Sequence, residues 1–497
     1  MDSGEAVKLA DLAALEQAFP QGMRGKRIHA VGAGGHGIAP ALGLAQQRGA
    51  IVTGCDLAIT GMSHLLTEQG VSLTLGHDPA HVHGCDLVVT NPAVTFLHPH
   101  HPELVAAQAQ GIPVAQWQPL LGLLMRESVG VSVAGVHGKG TTTALLGALA
   151  VAGGLDPTVE VGDIVRDWDS NILLGSGAYF INEADEFNYN FASYHPRMVV
   201  LTAVEYDHPE FFPSYEAIRD AFVGFLRGMD MADHEGVTLP PTIVLNADSP
   251  GCHDTLAQLG DWPGDVRSFS IERADVDAHA EHVVVDARGT TFTLHLHGAL
   301  AGQVTLPATG AHFVADALAA AAAADALGVA PVVIVKTLSQ FYGLRRRFEI
   351  LEDDDVTFID DYAHHPHAVA LTLEAARQRF LGRRLIAVFQ PTLYTRLHRF
   401  LTPFSQAFDV ADEVVIVEIQ PSRERDTGLI HGSALVEAIQ RRPAFASRAD
   451  AVRYGGDFAE TAALLRSLRQ PGDVIAVLGS GPVNQVIANL RTAPRHG

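Results

Sequence analysis

Short apolar runs that end in glycine or acidic turns, each followed by helix-period patterning, recur along the whole chain. The runs Arg27–Val31 and Ala50–Asp56 read as strands, and a glycine turn at Gly32–Gly37 opens a helix that runs to about Gln47. Asp86–Thr90 and Ile112–Val114 read as further short strands. A second series starts with the apolar run Val131–Val136, a glycine turn and a helix from Thr141, followed by strands near Ala178–Asn182 and Met198–Val204. Glu281–Leu306 alternates polar and apolar positions between glycine turns, which predicts an antiparallel appendage before a helix over Gly310–Leu327. A third series begins near Gly343, with strands at Val356–Asp360, Arg384–Phe389, Glu413–Val417 and Asp473–Leu478. Strands alternating with helices predict parallel sheets. The expected fold is α/β with three domains, each built on a mainly parallel sheet. The N-terminal and C-terminal domains are expected to be Rossmann-like and the central one P-loop ATPase-like, over residues 1–128, 129–336 and 337–497.

Composition narrows the function. A chain of 497 residues is too long for one core, and 47% apolar content suits globular packing. The net charge of −22 argues against general nucleic-acid binding but leaves room for a local cationic pocket. Cys55, Cys85 and Cys252 are scattered, with no metal spacing and no disulfide framework, which fits a reducing cytoplasm. The first six residues lack a signal-peptide pattern, and no apolar run is long enough to span a bilayer, so no membrane insertion is expected. A monomer or homodimer is expected.

The strongest chemical signal lies between Val133 and Thr143. Gly135, Gly138 and Lys139 stand between a strand and a helix N-terminus, as a polyphosphate cradle requires. Backbone N–H groups approach the phosphates, Lys139 supplies a point charge, and the helix end adds partial positive charge. Gly32, Gly34 and Gly37 fit Gly-x-Gly-x-x-Gly, with Asp56 where a dinucleotide fold places its ribose-binding acid. A nicotinamide oxidoreductase is the competing reading of that turn. Glu183 and His208 follow strand ends beside the phosphate loop and are expected to reach a metal ion there, with Thr141 or Thr142 adding a hydroxyl. Asp185 and Glu186, taken singly, read as solvated loop acids. Arg345, Arg346 and Arg347 precede Phe348, and Asp360-Asp-Tyr-Ala-His-His-Pro366 begins at a strand end.

These motifs, in this order, resemble the Mur ligase family of ATP-dependent amide-bond synthetases. The resemblance covers nearly the whole chain and rests on Gly32–Gly37, Gly135–Thr143, Glu183–Glu186, Glu205-Tyr-Asp-His-Pro209, Gly343–Phe348, Asp360–Pro366 and Phe389–Arg396. The Asp-Asp-Tyr-Ala-His-His-Pro and Phe-Gln-Pro elements resemble its muramate branch. The resemblance implies ATP and Mg2+ as cofactors, with UDP-N-acetylmuramate and an amino acid, L-alanine first, joined through an acyl phosphate in peptidoglycan precursor synthesis. It assigns Lys139, Glu183, His208 and Arg347 to catalysis, and Thr141, Glu183 and His208 to the metal. It assigns Gly135, His137, Gly138, Lys139, Gly140, Thr141, Thr142, His312, Asp361 and His364 to ATP. It assigns Gly32, Gly34, Gly35, His36, Gly37, Asp56, His365 and Arg396 to the other substrates.

Four positions depart from the family pattern. Gly140 stands where threonine usually follows the loop lysine, and Thr141 is expected to take its metal role. His312-Phe-Val-Ala-Asp316 lacks the two asparagines of the family's adenine-binding helix, and Phe313 offers an aromatic face instead. Thr392 replaces the histidine after Phe-Gln-Pro, and Leu478-Gly-Ser-Gly-Pro482 replaces Leu-Gly-Ala-Gly-Asp. A ligase that recycles a preformed tripeptide, and a nucleotide-binding homologue without turnover, are the alternatives.

Overall fold

The computed structural model describes residues 7–208, 211–232, 234, 236–353, 356–422 and 424–492. The N-terminal hexapeptide and Pro209 of the Glu205–Pro209 motif lie outside the described residues. The chain divides into two compact units, one of residues 1–278 with 318–334, the other of 279–317 with 335–497. The helix Ala311–Ala326 contributes to both.

The first unit holds two sheets. One contains β1 (Arg27–Val31), β2 (Ile51–Asp56), β3 (Ser72–Leu75), β4 (Leu87–Thr90) and β5 (Val114–Gln116). Their order is β3-β2-β1-β4-β5, with every neighbour parallel. The chain leaves β1 toward β2 on one side and later returns to β4 on the other. That reversal opens a crevice at the C-terminal end of β1, where ligands bind in such sheets. The glycine turn occupies that position. The other sheet contains β6 (Val129–Ala134), β7 (Thr158–Val165), β8 (Ser170–Leu173), β9 (Tyr179–Ala184), β10 (Met198–Leu201), β11 (Thr242–Asn246) and β12 (Asp265–Ser270). Their order is β12-β11-β10-β6-β9-β7-β8, parallel except for the edge strand β8. β6 is central and wholly buried, as a continuous apolar run predicts. Its C-terminal end is again a reversal point, flanked by the ends of β9 and β10.

The second unit carries the expected antiparallel segment, β13 (Ala278–Asp286), β14 (Gly289–Leu296) and β15 (Ala299–Leu306). Its larger sheet contains β16 (Glu349–Asp353), β17 (Val356–Asp361), β18 (Leu385–Phe389), β19 (Glu413–Val417), β20 (Val452–Gly456) and β21 (Val474–Leu478). The order is β16-β17-β21-β18-β19-β20, with only β16 antiparallel. β17, β18 and β21 are buried along their whole length, and Phe358, Ile386, Val388, Ile475 and Val477 share one core. No helix among the described residues is long and apolar enough to cross a membrane.

Candidate active site

The loop after β6 is held by glycine geometry. Gly135 has φ 137° and Gly138 φ 77°, both in the range that disfavours a side chain. A Cβ on Gly135 would lie 2.2 Å from Thr202 Oγ1 and 2.8 Å from Ala203 N, so the loop lies flush against the exit of β10. Val136 N–H donates to Ala203 O at 2.9 Å, and the Thr202 hydroxyl faces the carbonyls of Ala134 and His137. Lys139 then opens the helix Lys139–Ala152. Gly140, Thr141 and Thr142 are buried in its first turn, and the Thr143 hydroxyl donates back to Lys139 O.

Four ionisable side chains converge on this helix start. Lys139 Nζ lies 2.8 Å from Glu186 Oε2 and 3.6 Å from Asp185 Oδ1. Glu186 Oε1 lies 3.6 Å from His208 Nε2. Burial works against the Lys139 charge, but Glu186, Asp185 and Glu183 outweigh it and hold the ammonium above its ordinary pKa. Burial also pushes the Glu186 carboxyl up, and Lys139 and His208 more than offset that, so it stays ionised. Glu186 is therefore no solvated loop acid: its side chain is 1% exposed and is the direct partner of the loop lysine. The sequence left it among three neighbouring acids because the turn after β9 decides which one points inward. That turn holds Asn188 and Tyr189 at positive φ, as His208 is in its own turn.

Glu183 is placed differently from His208. One of its oxygens accepts the Gly162 N–H of β7 at 2.9 Å. Beside it, burial and the Glu183 charge push the Glu160 carboxyl well up. His208 packs edge-on against Phe187, with ring centroids 5.2 Å apart. His137 Nε2 lies 3.6 Å from Glu205 Oε2.

In the first sheet, Gly32 has φ 74°, and Gly32 and Ala33 N–H both donate to Cys55 O. Gly34 N–H donates to Asp56 Oδ2 at 2.8 Å, and Leu57 N–H to Asp56 Oδ1 at 2.7 Å. The Asp56 carboxylate thus holds the turn in place, where a ribose-binding acid was expected. A Cβ on Gly37 would lie 2.7 Å from the Trp117 ring, which explains that glycine. Gly35 is half-buried and His36 exposed, and the His36 carbonyl accepts from Asn171 Nδ2 at 2.9 Å.

In the second unit, Asp361 clasps a loop: its oxygens accept Phe348 N–H and Ala363 N–H, each at 2.7 Å. Arg346 lies 3.3 Å from Asp360 and donates to Gly479 O and Gly481 O. Arg347 stacks over the Tyr362 ring at 4.9 Å. His364 Nδ1 lies 3.0 Å from Tyr362 O, and His365 precedes the helix Pro366–Arg379 with its ring edge-on to Phe400 and no capping hydrogen bond from its side chain. Arg396 is buried in the short helix Tyr394–Arg399. Phe313 is 6% exposed, packed between His312 and Phe348, so its ring is committed to the protein and is not an open face for a base. His312 beside it is only half-buried. Two departures are coupled: Thr392 Oγ1 and Ser480 Oγ share a hydrogen bond at 2.8 Å.

A glycine turn at one sheet reversal and a lysine loop at the next define a multidomain α/β nucleotide-binding protein. Family models agree: the Mur ligase family catalytic domain matches residues 27–128, the Mur ligase middle domain 133–324, and the Mur ligase glutamate ligase domain 346–481. A relative named UDP-N-acetylmuramate–L-alanine ligase, from Methylococcus capsulatus, is 34% identical over 93% of this chain and 95% of its own. The chain belongs to the Mur ligase family. Among solved structures, UDP-N-acetylmuramate-alanine ligase MurC from Thermotoga maritima shares the fold with TM-score 0.75 and 24% identity, over 94% of this chain and 98% of that one. A murein peptide ligase from Psychrobacter arcticus gives TM-score 0.67 and 26% identity, over 95% of this chain and 100% of that one.

Proposed function

We propose that this protein joins an amino acid, L-alanine first, to the lactyl carboxylate of UDP-N-acetylmuramate at the expense of ATP. The observation that carries the reading is the Lys139–Glu186–His208 group, with Glu186 buried between two half-buried partners, at the mouth of a glycine cradle. A lysine held charged next to exchangeable acids is ready to take phosphate oxygens as new partners. The relatives' names supply the substrates.

The donor set also suits Mg2+. Carboxylates of Glu183 and Glu186 and the Thr141 hydroxyl, at or beside strand ends and the helix start, would offer the oxygens a hard cation takes, with the His208 imidazole as a nitrogen donor. When bound, Mg2+ would neutralise charge on the phosphate oxygens. Lys139 and the helix N-terminus do the same work from the protein side. A carboxylate oxygen of the acceptor attacks the γ-phosphorus, the bond to ADP breaks, and an acyl phosphate forms. The free amine of the amino acid then attacks the acyl carbon, inorganic phosphate leaves, and the nitrogen gives up a proton. Gly32, Gly34 and Gly37 would present N–H groups to the uridine diphosphate. Arg347, His364 and His312 are assigned to ATP, and His365 and Arg396 to the remaining substrate, Arg396 by its planar guanidinium.

The test is release of ADP and phosphate by purified protein given ATP, Mg2+ and UDP-N-acetylmuramate across the common amino acids and a stem tripeptide. Turnover with L-alanine supports the reading. Turnover with the tripeptide alone reassigns it to recycling, and none with any acceptor favours a homologue without turnover.

A further inference from the structure

Away from the phosphate loop, the first sheet gathers a second set of donors. His29 on β1 pairs in register with Thr53 on β2, and Val31 with Cys55, so the period-two alternation puts His29 and Cys55 on one face. The helix Pro102–Ala109 covers that face and brings in Glu103, and the turn Pro79–Val82 brings in His81. His29 Nε2 lies 3.3 Å from Glu103 Oε2, Cys55 Sγ 3.0 Å from the same oxygen, and His81 Nδ1 3.0 Å from Glu103 Oε1. One donor atom from each of the four residues lies within 4.8 Å of all the others. From these positions we infer that His29, Cys55, His81 and Glu103 form a structural zinc site.

Three independent features carry the assignment. The first is spacing. Tetrahedral zinc with bonds of about 2.0–2.3 Å sets its ligand atoms roughly 3.3–3.8 Å apart; the contacts to Glu103 are 3.0–3.3 Å and no pair of donor atoms is separated by more than 4.8 Å. The second is donor chemistry: two imidazoles, a thiolate and a carboxylate suit a borderline-soft ion, and the four ligands close the site as structural zinc requires. The two negative ligands balance the ion, so a buried neutral complex results. The third is outer support. His29 Nδ1 lies 2.9 Å from Thr53 Oγ1, so the tautomer that donates Nδ1–H to that hydroxyl leaves the Nε2 lone pair for the metal. The Asp78 N–H donates to Glu103 at 2.7 Å.

Burial makes the thiol reluctant to ionise, so metal entry must displace its proton. His77 Nδ1 lies 3.2 Å from Cys55 Sγ, and the His77 side chain is 20% exposed. The S–H bond, which faces Glu103 in the metal-free protein, breaks, the proton is released to solvent, and sulfur donates its electron pair to the metal. Sequence spacing conceals the set because its members come from four separate elements. Its consequence for the protein is local. The Cys55 carbonyl accepts two N–H groups of the glycine turn, and Asp56 holds a third, so a metal that fixes Cys55 also fixes that turn.

The experiment uses the full-length protein, stripped with a chelator and titrated with Co2+, then with Zn2+ in competition. The site predicts one equivalent bound, the visible bands of tetrahedral cobalt, a thiolate-to-cobalt charge-transfer band and proton release on loading. Cys55→Ser removes the charge-transfer band. His81→Ala, on a turn where the side chain is 23% exposed, serves if the buried variant fails to fold, and weakens zinc at least tenfold. Thr53→Val weakens it by about 10–100-fold while keeping the band. At equal zinc concentration the melting temperature of the wild type rises more than that of His81→Ala. Absence of stoichiometric metal in the wild type overturns the site, and so does unchanged zinc affinity in folded Cys55→Ser. Either result makes the cluster a hydrogen-bonded carboxylate and nothing more.

Discussion

Lys139 carries a charge that Glu186 matches at 2.8 Å, and its proposed role is to bind phosphate at the end of the Gly135–Gly138 turn. Removing it does two things. Lys139→Met is expected to cut ADP formation by about a thousandfold, as loss of a preorganised charge does. It also strands a buried carboxylate, which should lower the unfolding free energy by about 3 kcal/mol in a denaturant titration. Glu186→Gln probes the pair from its other side: it removes the negative partner and an oxygen offered to Mg2+, and leaves the Lys139 ammonium in place. Asp360 gives a pH signature. Burial raises its carboxyl to about 6 against Arg346, which pulls it down. The folded state then holds a proton that the unfolded chain releases near its ordinary value of 3.8. Stability from this group is fully present below the unfolded value and is lost as pH rises toward 6. Asp360→Asn should flatten that fall, a difference of about 3 kcal/mol across the interval, read from unfolding curves at several pH values.

At the scale of elements, the turns carry the function. Gly34 has room for nothing: a Cβ would meet Ser63 Oγ at 2.8 Å and Thr60 Oγ1 at 2.9 Å. Gly34→Ala is expected to raise KM for UDP-N-acetylmuramate at least tenfold, with KM for ATP unchanged in steady-state assays. Gly135→Ala is the converse, because its Cβ would strike Thr202 and its φ disfavours a side chain. It should abolish ATP turnover while UDP-N-acetylmuramate still binds by calorimetry. Elements bounded by glycine and filled with apolar residues were legible in the sequence, as β1, β6, β18 and β21 illustrate. Strands with mixed faces were not: β3 is largely exposed, β7 carries Glu160 and Asp163, and β12 begins exposed. Their pairing depends on the neighbouring strand more than on their own pattern. The same holds within the site. Glycines and Lys139 announce themselves by spacing, whereas the inward turn of Glu186 and the gathering of His29, Cys55, His81 and Glu103 depend on tertiary structure.

For the whole molecule, the account rests on a chemical claim: the acceptor carboxylate is phosphorylated before the amide bond forms. The family assignment supports an ATP-dependent amide ligase, and the acyl phosphate is the proposed route. The direct test is an isotope experiment with UDP-N-acetylmuramate labelled with 18O in its lactyl carboxylate, run to completion with ATP, Mg2+ and L-alanine. Phosphate that carries one 18O atom per turnover is the predicted result. Amide product accompanied by phosphate free of the label would contradict the account.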